Sequence, residues 1–306
     1  QIGTAKLMEG GFWFANSYAE AAGRFLIACD DLRDAGHKVE SERLEIGMTG
    51  PDGEPLCIDV AIVGSLESGK VLLSTSGIHG VEGYPGSAIQ LAIMDDLCKE
   101  EAFKDHAVIL IHTINPYGMA WWRRFNENNV DLNRNFLTSK QDYSGVPVGY
   151  EKIRAFINPE SPPPKKEKWF KLKALNLIRK YGFTNLKQWV AEGQYEYPKA
   201  IQYGGDCLQP GPDLLLNWLD KILGDVKQVW AIDLHTGLGP SGYDTLLVSE
   251  GMTLDDFNHF ERLFPGHVES LDPDAGVGYQ IIGDLHQGLI DRYDHIKWLA
   301  LTQEFG

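Results

Sequence analysis

The sequence predicts an α/β domain with a mixed, mostly parallel central sheet flanked by helices. Three observations carry that expectation. Ala107 to Thr113 (AVILIHT) and Gln228 to Leu234 (QVWAIDL) are short, largely apolar runs of the kind that strands buried on both faces present. Segments of helical period alternate with such runs along the chain, as layered α/β folds require. The 306 residues are 43% hydrophobic and 23% charged, enough to bury one large core or two smaller ones. No internal repeat is visible, and the whole of 1–306 is read as a single domain.

Taken in order, Ser17 and Glu20 have capping-box spacing, and Ala21, Ala22, Phe25, Leu26, Cys29 and Leu32 follow at helical intervals up to Gly36. Arg43 to Ile46 and Leu56 to Val63 read as strands joined by the turn GPDGEP, a hairpin. The run Val71 to Thr75 is a strand that ends in a Gly-rich turn, and a helix is expected from about Pro85 to Cys98. After the 107–113 strand, INPYG reads as a turn, and WWRRFNENNVDLNRNF follows neither the helical nor the strand period. Long irregular segments inside a domain are usually functional.

Residues 143–212 change character. SPPPKKEK is a Pro-rich basic connector whose charges are most simply a solvated face, and Trp169 to Tyr181 and Leu186 to Glu192 have helical period. The stretch is too short and polar to carry a core alone, so it reads as a helical insertion. Leu214 to Leu223 is a further helix, and the 228–234 strand ends at His235. Thr245 to Ser249 reads as a strand and Leu254 to Phe264 as a helix, with DPDAGVGYQIIGDLHQG a loop. Ile296 to Thr302 is the last strand, with Glu304 at its end.

The net charge of −15 disfavours nucleic acid or an anionic membrane surface as the main partner, leaving room for a local basic patch. No apolar run approaches the eighteen residues of a membrane span, and no charged-then-apolar leader opens the chain. It begins at Gln1, not Met, so a removed leader stays open. Cys29, Cys57, Cys98 and Cys207 are scattered without CxxC spacing and read as small hydrophobes of a reducing compartment, from which a cytoplasmic location is expected.

The chemistry concentrates at strand ends. His79 and Glu82 stand three apart in the turn after the 71–75 strand and offer an imidazole nitrogen and a carboxylate, donors that suit zinc. Gly83 stands where HxxEH would need its second His, so a further ligand must come from far along the chain. His235 and Glu304 end two other strands. In a parallel-type sheet such ends share one rim, where residues over two hundred positions apart can meet. Two His and one carboxylate make a catalytic zinc set, and the second Glu is then free to act as a base.

HxxE after a strand, an NPYG turn, an Arg-rich segment leading to VDLNRNF, a His closing a strand at DLH and a Glu in LTQEF together resemble the zinc carboxypeptidase superfamily, the carboxypeptidase A-like metallopeptidases. The likeness is greatest to a bacterial branch of it, with the aspartoacylase-like deacylases as further relatives. It covers Val71 to Gly306 apart from the inserted helices, and VDL before NRNF is its most specific piece. The resemblance implies one zinc ion held by His79, Glu82 and His235, with Glu304 as general base. It implies that Asn133 and Arg134 hold a substrate carboxylate, that Arg124 or its neighbour Arg123 stabilises the oxyanion, with Arg124 favoured, and that Asp131 orients His79. The phenolic proton donor of the family has two candidates, Tyr279 and Tyr243. The chain stops two residues after Glu304, where the family's core continues into another helix, so a trimmed or incomplete sequence is expected.

Simpler readings stand beside these. Asn133 and Arg134 could pin a loop, His235 could be a satisfied histidine, and Glu304 a surface carboxylate. The expected function is a zinc-dependent hydrolase that cleaves an amide bond next to a free carboxylate, with a small peptide or N-acyl amino acid as substrate and neither nucleic acid nor membrane as partner. An aspartoacylase-like deacylase is the alternative within the same chemistry. A binding module without catalysis is the alternative outside it, and it predicts a missing ligand or base.

Overall fold

The computed structural model describes residues 13–103, 105–161, 169–248, 253–270 and 281–306. The first helix among the described residues is α1 (Tyr18–Asp34), whose N-cap Ser17 accepts a hydrogen bond from Glu20 N at 3.2 Å. The Glu20 carboxylate accepts from Asn16 N instead of completing the box on Ser17. The expected hairpin follows as β1 (Val39–Thr49) and β2 (Pro55–Gly64), paired antiparallel. Next come β3 (Lys70–Ser76), α2 (Gly83–Leu97) and β4 (Ala107–Ile111).

INPYG is not a simple turn. Asn115 accepts from Gly118 N and Pro116 fills the first helical turn, which together nucleate the short helix α3 (Pro116–Ala120). Residues 143–212, read from the sequence as an insertion, hold α4 (Val148–Ile157), absent from the sequence reading, then α5 (Phe170–Tyr181) and α6 (Phe183–Ala191). Residues 162–168, most of the basic connector, lie outside the described residues. The remainder is α7 (Pro210–Ile222), β5 (Gln228–Thr236), β6 (Asp244–Val248), α8 (Leu254–Leu263), β7 (Val268–Ser270), α9 (Leu285–Arg292) and β8 (Lys297–Phe305). The stretch expected to be a loop before β8 thus ends in α9, capped by Asp284 through Gln287 N.

Among the described residues the strands form one sheet in the order β1-β2-β4-β3-β5-β8-β6-β7. Four of its pairings are parallel and three antiparallel, and β4, β3, β5 and β8 form a continuous parallel centre. The alternation of side chains along β4 explains why its run is apolar throughout. Val108 and Leu110 belong to one buried cluster with Phe25, Cys29 and Leu32 of α1 and Met94 of α2, while Ile109 and Ile111 belong to another with Leu215 and Leu219 of α7 and Leu285 and Leu289 of α9. Each such side chain, buried on both sides of the sheet, contributes on the order of 1.5–3 kcal/mol.

This topology decides where a site can form. From β3 the chain crosses to β4 on one side and later returns to β5 on the other, so the carboxyl ends of β3 and β5 flank a switch point, where ligand crevices open in α/β sheets. The parallel register sets Ser76 beside Leu234 and His235 beside Glu304, bringing three strand ends to one rim. Among the described residues, no helix is long and apolar enough to cross a membrane.

Candidate metal centre

Beyond β3 the backbone turns through Gly77 at φ +64°, where an added Cβ would lie 2.4 Å from Thr113 Oγ1. A side chain there would be strained by conformation and by contact. Gly80 is as constrained: its added Cβ would meet Gly118 Cα at 2.3 Å, because the turn packs directly on α3. Residues Gly80–Glu82 form one 3₁₀ turn, tied to the following loop by Val81 N donating to Arg123 O at 3.0 Å. The two glycines thereby seat His79 and Glu82 against the end of β5.

His79 and His235 are 5% and 4% exposed, and their rings stand edge to face with centroids 4.9 Å apart. Both direct Nδ1 at Glu82: His79 Nδ1 is 3.2 Å from Oε1 and His235 Nδ1 is 3.4 Å from Oε2. Both turn Nε2 to an aspartate, at 3.2 Å from Asp131 Oδ1 for His79 and 2.6 Å from Asp233 Oδ2 for His235. Thr236 N donates to Glu82 Oε2 at 3.0 Å and Thr75 Oγ1 to Asp233 Oδ1 at 2.6 Å, so neighbouring strands fix the carboxylates.

These residues fit a metal ion. The candidate donor atoms of His79, Glu82 and His235 all lie within 4.8 Å of one another, and buried His79 Nδ1 has no hydrogen-bond partner. The nitrogen–oxygen separations match the edge of about 3.3 Å that a tetrahedron of 2.0–2.1 Å zinc bonds would have. An imidazole that gives Nδ1 to a metal and Nε2–H to a carboxylate is held in one tautomer and made more basic.

The electrostatics are those of a coupled cluster. Burial pushes the Glu82 carboxyl up, but His79 and His235 outweigh it and hold the group well below the usual carboxylate range. Burial likewise opposes ionisation of Asp131 and Asp233. Arg124 and His79 depress Asp131 strongly, and His235 depresses Asp233. His235 goes the other way: burial would lower it, yet Asp233 and Glu82 raise it well above the ordinary imidazole value. Glu304, 7% exposed beside His235 in register, is raised by burial, and its Oε2 is buried with no hydrogen-bond partner.

The two arginines separate. Arg124 Nε donates to Asp131 Oδ2 at 3.0 Å, and its Nη2 and Nη1 lie 2.7 Å from His79 Nε2 and 3.6 Å from Glu82 Oε1. Arg123 turns to Asn129 and the Tyr117 ring. Asn133 and Arg134 make contacts within the fold. Asn133 Oδ1 accepts from Leu285 N at 3.0 Å. Arg134 is 1% exposed, with Nε and Nη2 donating to Ala191 O at 2.9 and 2.6 Å and Nη1 to Asn133 O at 2.7 Å. Tyr243 donates to Gly266 O and stacks on His267, and Tyr279 lies outside the described residues.

Asp233 is the residue that sequence reasoning missed. Its signal was present: in a strand, positions two apart face the same way, so the DLH of β5 puts Asp233 and His235 on one side.

The fold is that of carboxypeptidases. Bovine thrombin-activatable fibrinolysis inhibitor, solved with tick carboxypeptidase inhibitor, superposes with a TM-score of 0.53 at 13% identity over 95% of this chain and 86% of that one. Carboxypeptidase A from Helicoverpa armigera gives 0.51 at 12% identity over 94% of this chain and 64% of that one. At such identities the likeness establishes architecture and nothing finer. No curated protein matches the chain in sequence. The family model for proteins of unknown function named DUF2817 matches residues 14–306, and the chain belongs to that family.

Proposed function

We propose that this chain is a metal-dependent hydrolase of carboxypeptidase type, cleaving an amide bond in a small peptide or N-acyl amino acid next to a free carboxylate. One observation carries the reading: two buried imidazoles converge on Glu82 through Nδ1, with Nε2 of His235 braced by Asp233 and Nε2 of His79 placed between Asp131 and Arg124, and a second buried carboxyl, Glu304, stands beside them. His79, Glu82 and His235 would hold one zinc ion, which when bound would supply Lewis acidity and a lowered pKa for water.

The protein's own part is proton transfer, orientation and charge. Glu304, raised by burial, takes a proton from the attacking water and returns it to the leaving amine. Nε2 of His79 serves one partner at a time. Donating to Asp131, it no longer accepts from Arg124, and the Nη2 of Arg124 turns to the charge that develops on the substrate carbonyl oxygen. A substrate carboxylate recognised by Asn133 and Arg134 has to replace the Ala191 carbonyl, exchanging a neutral acceptor for a charged one that pairs with guanidinium more strongly. Because the insertion reaches Arg134 through Ala191, short substrates fit this reading better than proteins, and this favours deacylation of N-acyl amino acids as the second possibility.

A panel of dipeptides and N-acyl amino acids, assayed with the zinc-loaded wild type and with Glu304→Gln, tests the proposal. Turnover of at least one class is expected, with Glu304→Gln keeping its zinc and losing turnover. Full activity in Glu304→Gln would overturn the assignment of the base.

A further inference from the structure

The acidic chain carries one strongly basic stretch. Eight of its 28 lysines and arginines lie between 165 and 187 against a single acid, Glu167, leaving 20 cations against 42 acids elsewhere. Within that stretch α5 has no buried residue. Its inner side is half covered by the rest of the insertion: Ala174, Leu177 and Tyr181 are partly buried, and the Phe170 ring stacks on Phe156 at 5.2 Å.

The outer side is unusual for a water-facing helix. Leu172, Leu175 and Ile178 are 57%, 54% and 38% exposed, and their spacing of three keeps them on one arc. The positions of Lys171 and Arg179 fall within that same arc, and Trp169 and Phe183, 63% and 69% exposed, stand at the two ends of the helix. Cations interleaved with large apolar side chains suit an interface in which phosphate head groups lie beside acyl chains. A nucleic acid would use the cations and leave the aliphatics in water.

We propose that α5 and the start of α6 dock on an anionic lipid surface. The charge distribution gives the orientation. The rest of the molecule, net negative by more than twenty charges, is repelled by such a surface, so only this face approaches it. The overall acidity that argues against membranes as a partner is therefore reversed locally. The contact is peripheral, and it stands independently of the hydrolase reading.

Co-sedimentation of the full chain with vesicles tests this. Vesicles of equal phosphatidylglycerol and phosphatidylcholine are expected to bind at least about tenfold more protein affinity-wise than phosphatidylcholine alone, with the difference shrinking at high salt. Lys171→Ala with Arg179→Ala should weaken binding about thirtyfold, and Leu172→Ser with Leu175→Ser at least about tenfold. Far-UV circular dichroism of the variants should match the wild type, since every substituted side chain is exposed. Equal or absent binding to both vesicle types, or variants that bind like wild type, would overturn the proposal. Self-association abolished by the same substitutions without any vesicle binding would assign the face to a second copy, and that too would overturn it.

Discussion

The two histidine arms of the candidate centre each set an imidazole between Glu82 and an aspartate, by different structural means. His235 and Asp233 sit on one strand two positions apart, and Thr75 of the adjacent strand holds the aspartate in place. His79 and Asp131 come from two loops 52 positions apart, and Arg124, a third of it exposed, contacts both. The first arm is made rigid by sheet register. The second depends on loop packing, and through Arg124 it is coupled to the open side of the site. On the proposed reading, the difference separates a purely supporting arm from one that also answers to substrate.

Removing either imidazole breaks both arms alike: His79→Ala and His235→Ala should each abolish stoichiometric zinc binding, read by competition with a chromophoric chelator. Arg124 sharpens the contrast next. Arg124→Ala should lower kcat by about 10²–10³-fold with zinc retained, whereas Arg123→Ala, aimed at Asn129, should change kcat little. The aspartates come third. Asp131→Asn and Asp233→Asn should each weaken zinc affinity by about 10–100-fold. Only Asp131→Asn should also alter kcat at saturating zinc, because it releases Arg124. Equal kcat losses in the two variants would erase the distinction between the arms.

The smallest effect is the pH dependence of the metal-free chain. His235 is raised in the fold, so its contribution to stability is complete below its unfolded pKa of about 6.5 and is lost as pH rises through the higher folded value. Glu82, Asp131 and Asp233 are depressed, so theirs is complete above about 4.3 and is lost as pH falls through their folded values. In urea unfolding of the chelated chain the contribution of these four groups should therefore be level between about pH 4.3 and 6.5 and decline above it by at most about 1.4 kcal/mol per pH unit, while the raised Glu304 adds its own loss as pH rises above about 4.3. His235→Gln should flatten that decline.

The rigid parts were the legible ones. Continuous apolar runs marked β4 and β5 because both their faces are covered, and the HxxE turn and the terminal Glu were visible as donors at strand ends. The helix α4 was missed because only Gly149, Tyr150 and Ile153 of its residues are buried, too few to set up a period. The helix α9 was hidden by the glycines at 283 and 288, although Asp284 caps it. Asp233 was legible in principle, by the two-residue period of a strand. The direction of Arg134 was not. Whether a guanidinium faces a cleft or a main-chain carbonyl depends here on Ala191, 57 positions away on the insertion, and no local pattern carries that information.

The most direct test of the centre is the stoichiometry with which the purified, chelator-stripped chain takes up zinc, followed by calorimetry and repeated on His235→Ala. One ion per chain in the wild type and none at the same concentrations in the variant is the expected result. Absence of uptake by the wild type, or uptake that persists unchanged without His235, would contradict the account.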